Sequence, residues 1–513
     1  LIMAETTRRQ FMQTAAASSA LGLAGLDFLS GLPAVSADAA KLDPNVVKLD
    51  AEIEPLVRLL EETSRDRLLE EVADRIRKGT TYREVLAALL LAGVRNVEPR
   101  PSVGFKFHAV LVVNSAHIAS LSSPDADRWL PIFWALDHFK DSQAKNIVER
   151  KGWRMPPVDE KLVPPARKAR AAFVAALESW DAEAVDPAIA GLVRTGGTDE
   201  VWELFWKYAT RDFRAIGHKI IFAANAKRTL DTIGWQHAEP VLRSLAYALM
   251  SYSGDNPAKS DDAADRPGRK NLQLAKEIPE NWREGKIDSA ATSDLLATLR
   301  EGSEEEAPKK CVDLLKKGIS PQSLWDAILA GAGELLMRRP GIVPLHAVTT
   351  SNAIRYAYET SGDDQTRRWL LLQNAAFLAL FRQEMVGREK GKSLPAQPID
   401  KLEALEPTKS GTEGIGEILA EVSKDRLSAA RKALTYLKAN PRPKELIDAA
   451  RVLIFLKGND AHDYKFSSAV LEDYAHVSPE WRDRFLASSM FQLRGSAGAD
   501  NALVKRTRAA LKG

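Results

Sequence analysis

The sequence predicts an all-α protein of four related helical units arranged as two duplicated halves. Three observations carry this expectation. Alternating Val/Ile/Thr runs closed by Asn-Gly or Asp-Gly turns do not occur, so strand signals are nearly absent. Apolar residues recur instead every three to four positions along most of the chain. A helical hairpin followed by a histidine-bearing helix recurs four times.

The first element is an export signal over 1–37. Thr7-Arg8-Arg9-Gln10-Phe11-Met12 resembles the twin-arginine motif and precedes a weakly hydrophobic Ala/Gly/Leu-rich stretch from Thr14 to Leu32. Pro33-Ala34-Val35-Ser36-Ala37 offers small residues to a signal peptidase, so the mature chain is expected to begin near Asp38, in the periplasm or outside the cell. Leu1 and Ile2 precede Met3, the expected initiator. No later run approaches the roughly 18 apolar residues of a spanning helix, so no membrane span is expected after signal removal.

The hairpins come next. Val72 to Gly79 ends one apolar helix, and Thr81 caps a second carrying Val85, Leu86 and Leu89. Cys311 to Gly318, then Ser320, Leu324, Trp325 and Ile328, repeat the pattern, as do Ile189 to Gly196 with Thr198, Val201, Trp202 and Phe205. The fourth copy runs from Ala433 to Asn440 and on to Leu446, Ile447 and Ala450. Each first helix ends at Gly or Asn, residues that tolerate a left-handed C-cap.

A third helix in each unit opens near a histidine: His108, His218, His346 and His462. A fourth begins near Trp129, Pro240, Trp369 and Trp481. From the Gly or Asn to the histidine the spacings are 29, 22, 28 and 22 residues, so units one and three form one type and units two and four another. A two-unit ancestor duplicated into halves 50–252 and 300–495 explains the alternation, with 253–299 as linker carrying a short helical segment and 496–513 as a C-terminal tail.

The candidate chemistry lies on the histidine helices. Asn114, Asn225 and Asn352 follow their histidines by one to two turns, with Ser467 and Ser468 in the fourth copy, and His117, Arg228 and Arg355 stand three residues beyond the asparagines. An imidazole and a carboxamide on one helix can bind a substrate oxygen, and a helix N-terminus biases histidine toward its neutral, ligating form. His108, His346, Asn114 and Asn352 are therefore candidate catalytic residues, and His108, His218, His346 and His462 candidate ligands of a transition metal. A residue repeated in every unit can equally serve packing or capping. His138, His237 and His476 have no repeat partners and are expected at the surface or in local hydrogen bonds.

Composition excludes several classes. The 513 residues are 45% hydrophobic, enough for two or more cores. A charge of +3 from 72 basic and 69 acidic residues argues against nucleic acid as partner. The single cysteine, Cys311, excludes an internal disulfide, cysteine-rich zinc sites and C-x-x-C-H haem attachment, and aligns with core positions. Gly387-Arg388-Glu389-Lys390-Gly391-Lys392-Ser393 is one residue short of a phosphate loop, and no H-E-x-x-H or G-x-S-x-G occurs. Trp129, Trp202, Trp325, Trp369 and Trp481 sit in apolar helix faces and read as core.

Three segments, Phe105-Lys106-Phe107-His108-Ala109-Val110 to Asn114-Ser115, Trp129-Leu130-Pro131 to Asp137-His138, and Pro344-Leu345-His346-Ala347-Val348, resemble stretches of the questin oxidase-like proteins. The resemblance covers about a fifth of the chain. It implies a histidine-rich helical fold that oxidises aromatic, polyketide-type small molecules, with His108 and His346 at the site. The expected function is thus an exported oxidoreductase-like enzyme. The alternative is a periplasmic helical-repeat scaffold that binds a protein or polymer partner and carries structural histidines.

Overall fold

The computed structural model describes residues 45–99, 105–250, 255–440, 443–458 and 460–512, with backbone alone for 105–107. The export segment expected over 1–37 lies outside the described residues. All the helices below belong to one compact unit that begins at Val47.

Among the described residues the secondary structure is helical, with one isolated parallel bridge between Lys286 and Ile319. The first unit comprises α1 (Glu54–Glu62), α2 (Leu68–Arg77), α3 (Tyr82–Asn96), α4 (Phe105–Leu121) and α5 (Leu130–Arg150). The second follows with α6 (Ala166–Ser179), α7 (Val185–Thr195), α8 (Thr198–Ala209), α9 (His218–Ile233) and α10 (Ala238–Leu249). The connection holds α11 (Arg266–Leu274) and α12 (Ser289–Glu301). The third unit has α13 (Glu306–Lys316), α14 (Pro321–Arg338), α15 (Ile342–Thr360) and α16 (Asp364–Arg388). After α17 (Gly411–Glu421) the fourth has α18 (Arg426–Ala439), α19 (Lys444–Lys457), α20 (Ala461–Asp473) and α21 (Pro479–Ser488). α22 (Ala502–Lys512) closes the chain.

Local chemistry explains the starts. Thr81 and Glu84 form a reciprocal capping box on α3, and Ser320, Asp363, Asp425 and Asp460 accept from the first-turn amides of α14, α16, α18 and α20. The helix ends depart in part from expectation. Gly79 and Gly318 adopt the left-handed conformation (φ 107° and 77°), but Gly196 and Asn440 are extended (φ −89° and −126°). The reason is local. Gly196 leads straight into Gly197, the N-cap of α8, and the Asn440 side chain donates back to Tyr436 O at 2.7 Å, closing α18 without a left-handed turn.

α4, α9, α15 and α20 pack each against the next, and α20 returns against α4, so one helix from each unit contributes to a closed central bundle. Two contacts along its length fix the direction. His218, the first residue of α9, meets His346 near the start of α15, while Arg228 near the end of α9 reaches Asn352 on α15 and Glu472 near the end of α20. The helices therefore run parallel, with their positive N-terminal ends together. Packed on this bundle are helices buried nearly all round: on α14, residues 323–337, and on α16, residues 368–381, are buried throughout. Trp202, Trp325 and Trp369 are fully or nearly fully buried and Cys311 is inaccessible, as expected of core residues. The segment read as a tail, 496–513, contributes α22, which docks on α2 and α5 and pairs Arg506 with Glu70 and Arg508 with Asp127. Among the described residues no helix is long and apolar enough to cross a membrane.

Candidate metal centre

Three of the four histidines are held in place by different local devices. α9 is preceded by two left-handed residues, Ile216 (φ 44°) and Gly217 (φ 82°). A β-branched residue at positive φ costs about 1–3 kcal/mol, and here it folds the Ala215 carbonyl back to within 2.8 Å of His218 Nδ1. Gly217 lies so close to α15 that a Cβ would stand 1.7 Å from Thr350 Oγ1, so only glycine lets the two helices approach at this level. On α15, His346 Nδ1 lies 2.7 Å from Ile342 O. On α20, the N-cap Asp460 binds both His462 N and, at 2.6 Å, His462 Nδ1.

The four rings form a closed circuit. Their centroids are 5.6 Å apart for His108–His218, 4.4 Å for His218–His346, 5.2 Å for His346–His462 and 4.4 Å for His462–His108. His108, His218 and His346 are 6%, 2% and 1% exposed, and each offers a ring nitrogen within 4.8 Å of the others. His462 stands beside this trio, less buried, with its Nδ1 on Asp460. Three of the four expected ligands thus make the compact set, and the fourth borders it.

Proton assignment follows from the partners. A carbonyl or carboxylate oxygen only accepts, so His218, His346 and His462 each carry a proton on Nδ1 and present a lone pair at Nε2. Yet His218 Nε2 and His346 Nε2 lie 3.1 Å apart. Two lone pairs at that distance repel unless a proton or a cation lies between them. A proton is disfavoured: burial, chiefly, and the nearby positive charges of Lys465 and the other imidazoles hold the pKa of both rings well below the usual histidine value. Burial acts the same way on His108, whose Nε2 is buried without a hydrogen-bond partner. The hydrogen bond to His462 holds the Asp460 carboxyl well below its ordinary range.

Three residues at this end escaped the sequence reading. Lys465, one turn beyond His462 on the same side of α20, is fully buried, its Nζ lacks a hydrogen-bond partner, and burial pushes its amine down to about 7. Asp460 is the second. His138, expected at the surface or in local bonding, is instead largely buried, stacked on Trp134 at 5.1 Å, with Trp134 in turn stacked on Tyr464 at 4.3 Å. Burial there pushes the His138 pKa down to about 4. The i, i+4 spacing of Trp134 and His138 on α5 was the available signal. His237, expected at the surface or in local bonding, is buried and lies 3.5 Å from Asp50, and His476 lies 3.4 Å from Glu359, both carboxylates remote in the sequence.

The candidate asparagines occupy a second layer. Six residues from their histidines, Asn114 and Asn352 lie about 9 Å farther along the bundle. Asn114 donates to Asn225 Oδ1 at 3.2 Å, and Asn225 donates to Leu111 O. Arg228 donates to Asn352 Oδ1 and, at 2.8 Å, to Glu472, while Asn352 donates to Glu472 and Asp473. Ser468, in the asparagine position of the fourth unit, donates to Ser115 at 3.0 Å. His117 bonds the Tyr82 hydroxyl at 2.9 Å, outside this layer.

No family, curated protein or solved structure matches the chain.

Proposed function

We propose that this protein is an exported metalloenzyme of oxidoreductase type, with a transition metal held by His108, His218 and His346 and with His462 as a bordering fourth imidazole. The observation that carries this is the 3.1 Å separation of His218 Nε2 and His346 Nε2 when both Nδ1 positions face carbonyl oxygens. Metal-bound imidazoles characteristically donate their other N–H to such an oxygen, which fixes the tautomer and aims the lone pair at the ion. Two nitrogens on one ion at about 2.0–2.1 Å stand roughly 3–3.4 Å apart. His108 offers the third nitrogen, within 4.8 Å of those of the other two, and its Nε2 has no competing partner.

An imidazole-rich, sulfur-free donor set suits zinc, copper, iron or nickel. Oxidation of an aromatic, polyketide-type small molecule is what the questin oxidase-like resemblance implies for such a site. A solenoid scaffold fits the arrangement less well, because equivalent residues of an open repeat form a ladder and do not meet. Under the same reading 50–252 and 300–495 are duplicated halves, and the four histidines are copies of one position.

Metal analysis of protein purified from its native compartment tests the proposal. One equivalent of a transition metal in the wild type, lost in His346→Ala with the fold intact, is the expected result. Unchanged metal content with a lowered melting point in that variant contradicts it. Export is tested separately: Arg8→Lys with Arg9→Lys leaves the precursor in the cytoplasm, because the pathway reads guanidinium rather than charge alone. Unimpaired export removes the twin-arginine assignment.

A further inference from the structure

Among the described residues, the other buried lysines have partners. Lys219 Nζ sits 2.7 and 2.8 Å from the two oxygens of Asp212, and Lys140 Nζ is bonded to Leu60 O, Glu61 O and Gln143. Lys465 differs. Its Nζ is buried without a hydrogen-bond partner, one helical turn from His462, in the layer where His108 Nε2 is likewise unpartnered. Its positive charge acts on all four imidazoles.

Charge balance says what is missing. A divalent ion on neutral imidazoles brings +2, Lys465 brings +1 when protonated, and Asp460 returns −1. Four helix N-termini add about half a positive charge each. Uncompensated charge of this size is expensive in a buried site. The histidine layer offers imidazole lone pairs, which cannot bind an anion directly, together with one ammonium and one cation position, which can.

We propose that the metal centre contains a subsite for a small monoanion, held on one side by the bound ion and on the other by Lys465 Nζ. The inference rests on the metal reading above and adds the ligand class of the open coordination position: a hydroxide-, carboxylate- or azide-sized anion. Lys465 is a binding residue for that anion, and its charge-assisted hydrogen bond is what makes the site selective for negative ligands over neutral ones.

Azide titrated into the copper(II)-loaded full-length protein, followed by the ligand-to-metal absorption band, tests this. The expected result is saturable azide binding at one site, weakened about 10- to 100-fold in Lys465→Met at unchanged copper stoichiometry and retained in Lys465→Arg, as for loss of one hydrogen bond to a charged group. Lys465→Gln is a second uncharged variant should Lys465→Met fold poorly. Equal azide affinity in the wild type and the uncharged variants overturns the subsite, as does copper loading with no azide band in the wild type; both leave the histidine centre standing. A wild-type protein that retains no metal overturns both readings.

Discussion

The two polar layers of the central bundle use the same four helices and solve opposite problems. In the asparagine layer, Asn114, Asn225, Asn352, Arg228 and Glu472 hydrogen-bond to one another. In the histidine layer about 9 Å away, His108 Nε2 and Lys465 Nζ lack partners, and the lone pairs of His218 and His346 face each other. Buried polar groups are normally satisfied because an unmet one costs about 1–3 kcal/mol. Asp473 Oδ2 apart, which is buried without a partner, the asparagine layer satisfies itself as a structural network does, and on the metal reading proposed above the histidine layer is left open for a ligand.

Substitutions separate the layers. The largest effect is expected from His346→Ala, which removes a ligand and should lower metal affinity by more than the roughly 10–100-fold typical of losing an outer-sphere partner; competition with a chromophoric chelator measures it. Asp460→Asn removes the carboxylate behind His462 and should weaken metal by about tenfold at most, His462 being a bordering imidazole. An effect equal to that of His346→Ala would promote His462 to a full ligand.

In the other layer, Asn225→Ala leaves Asn114 and Arg228 short of an acceptor and should cost about 1–3 kcal/mol in denaturant unfolding, with metal stoichiometry unchanged. Loss of metal in this variant would break the distinction between the layers. Asp473 gives the smallest and most specific effect. Burial first, and then the charge of Glu472, push its carboxyl well above the ordinary value, against the opposing influence of Asn352, Arg228 and Arg355. The folded state therefore holds a proton that the unfolded chain releases above about pH 4. Stability from this group is complete below that pH and declines as pH rises toward the folded pKa, by up to about 1.4 kcal/mol per unit. Asp473→Asn keeps the acceptor for Asn352 and removes the proton, so it should be at least as stable as the wild type at pH 7, with a flatter pH profile. A less stable variant with an unchanged profile would show that Asp473 is ionised.

Much of this was legible because it recurs. The four histidine helices stand out in the sequence since each follows a helical hairpin, and repetition places His108, His218, His346 and His462 in equivalent positions of the sequence pattern. Asp460 and Lys465 belong to one unit only, so repetition could not mark them, although an Asp two residues before a helical histidine is a legible N-cap. The asparagines were visible, but their separation from the imidazoles depends on the register of parallel helices, a tertiary property. α22 was read as tail because its docking on α2 and α5 uses long-range pairs such as Arg506 with Glu70 that no local pattern encodes.

X-ray absorption on the metal-loaded wild-type protein addresses the central claim most directly. The expected spectrum has three or four nitrogen scatterers at about 2.0–2.1 Å with the outer-shell pattern of imidazole rings. A first shell of oxygen alone, without imidazole scattering, would place the metal elsewhere and contradict a histidine centre at the N-terminal end of the bundle.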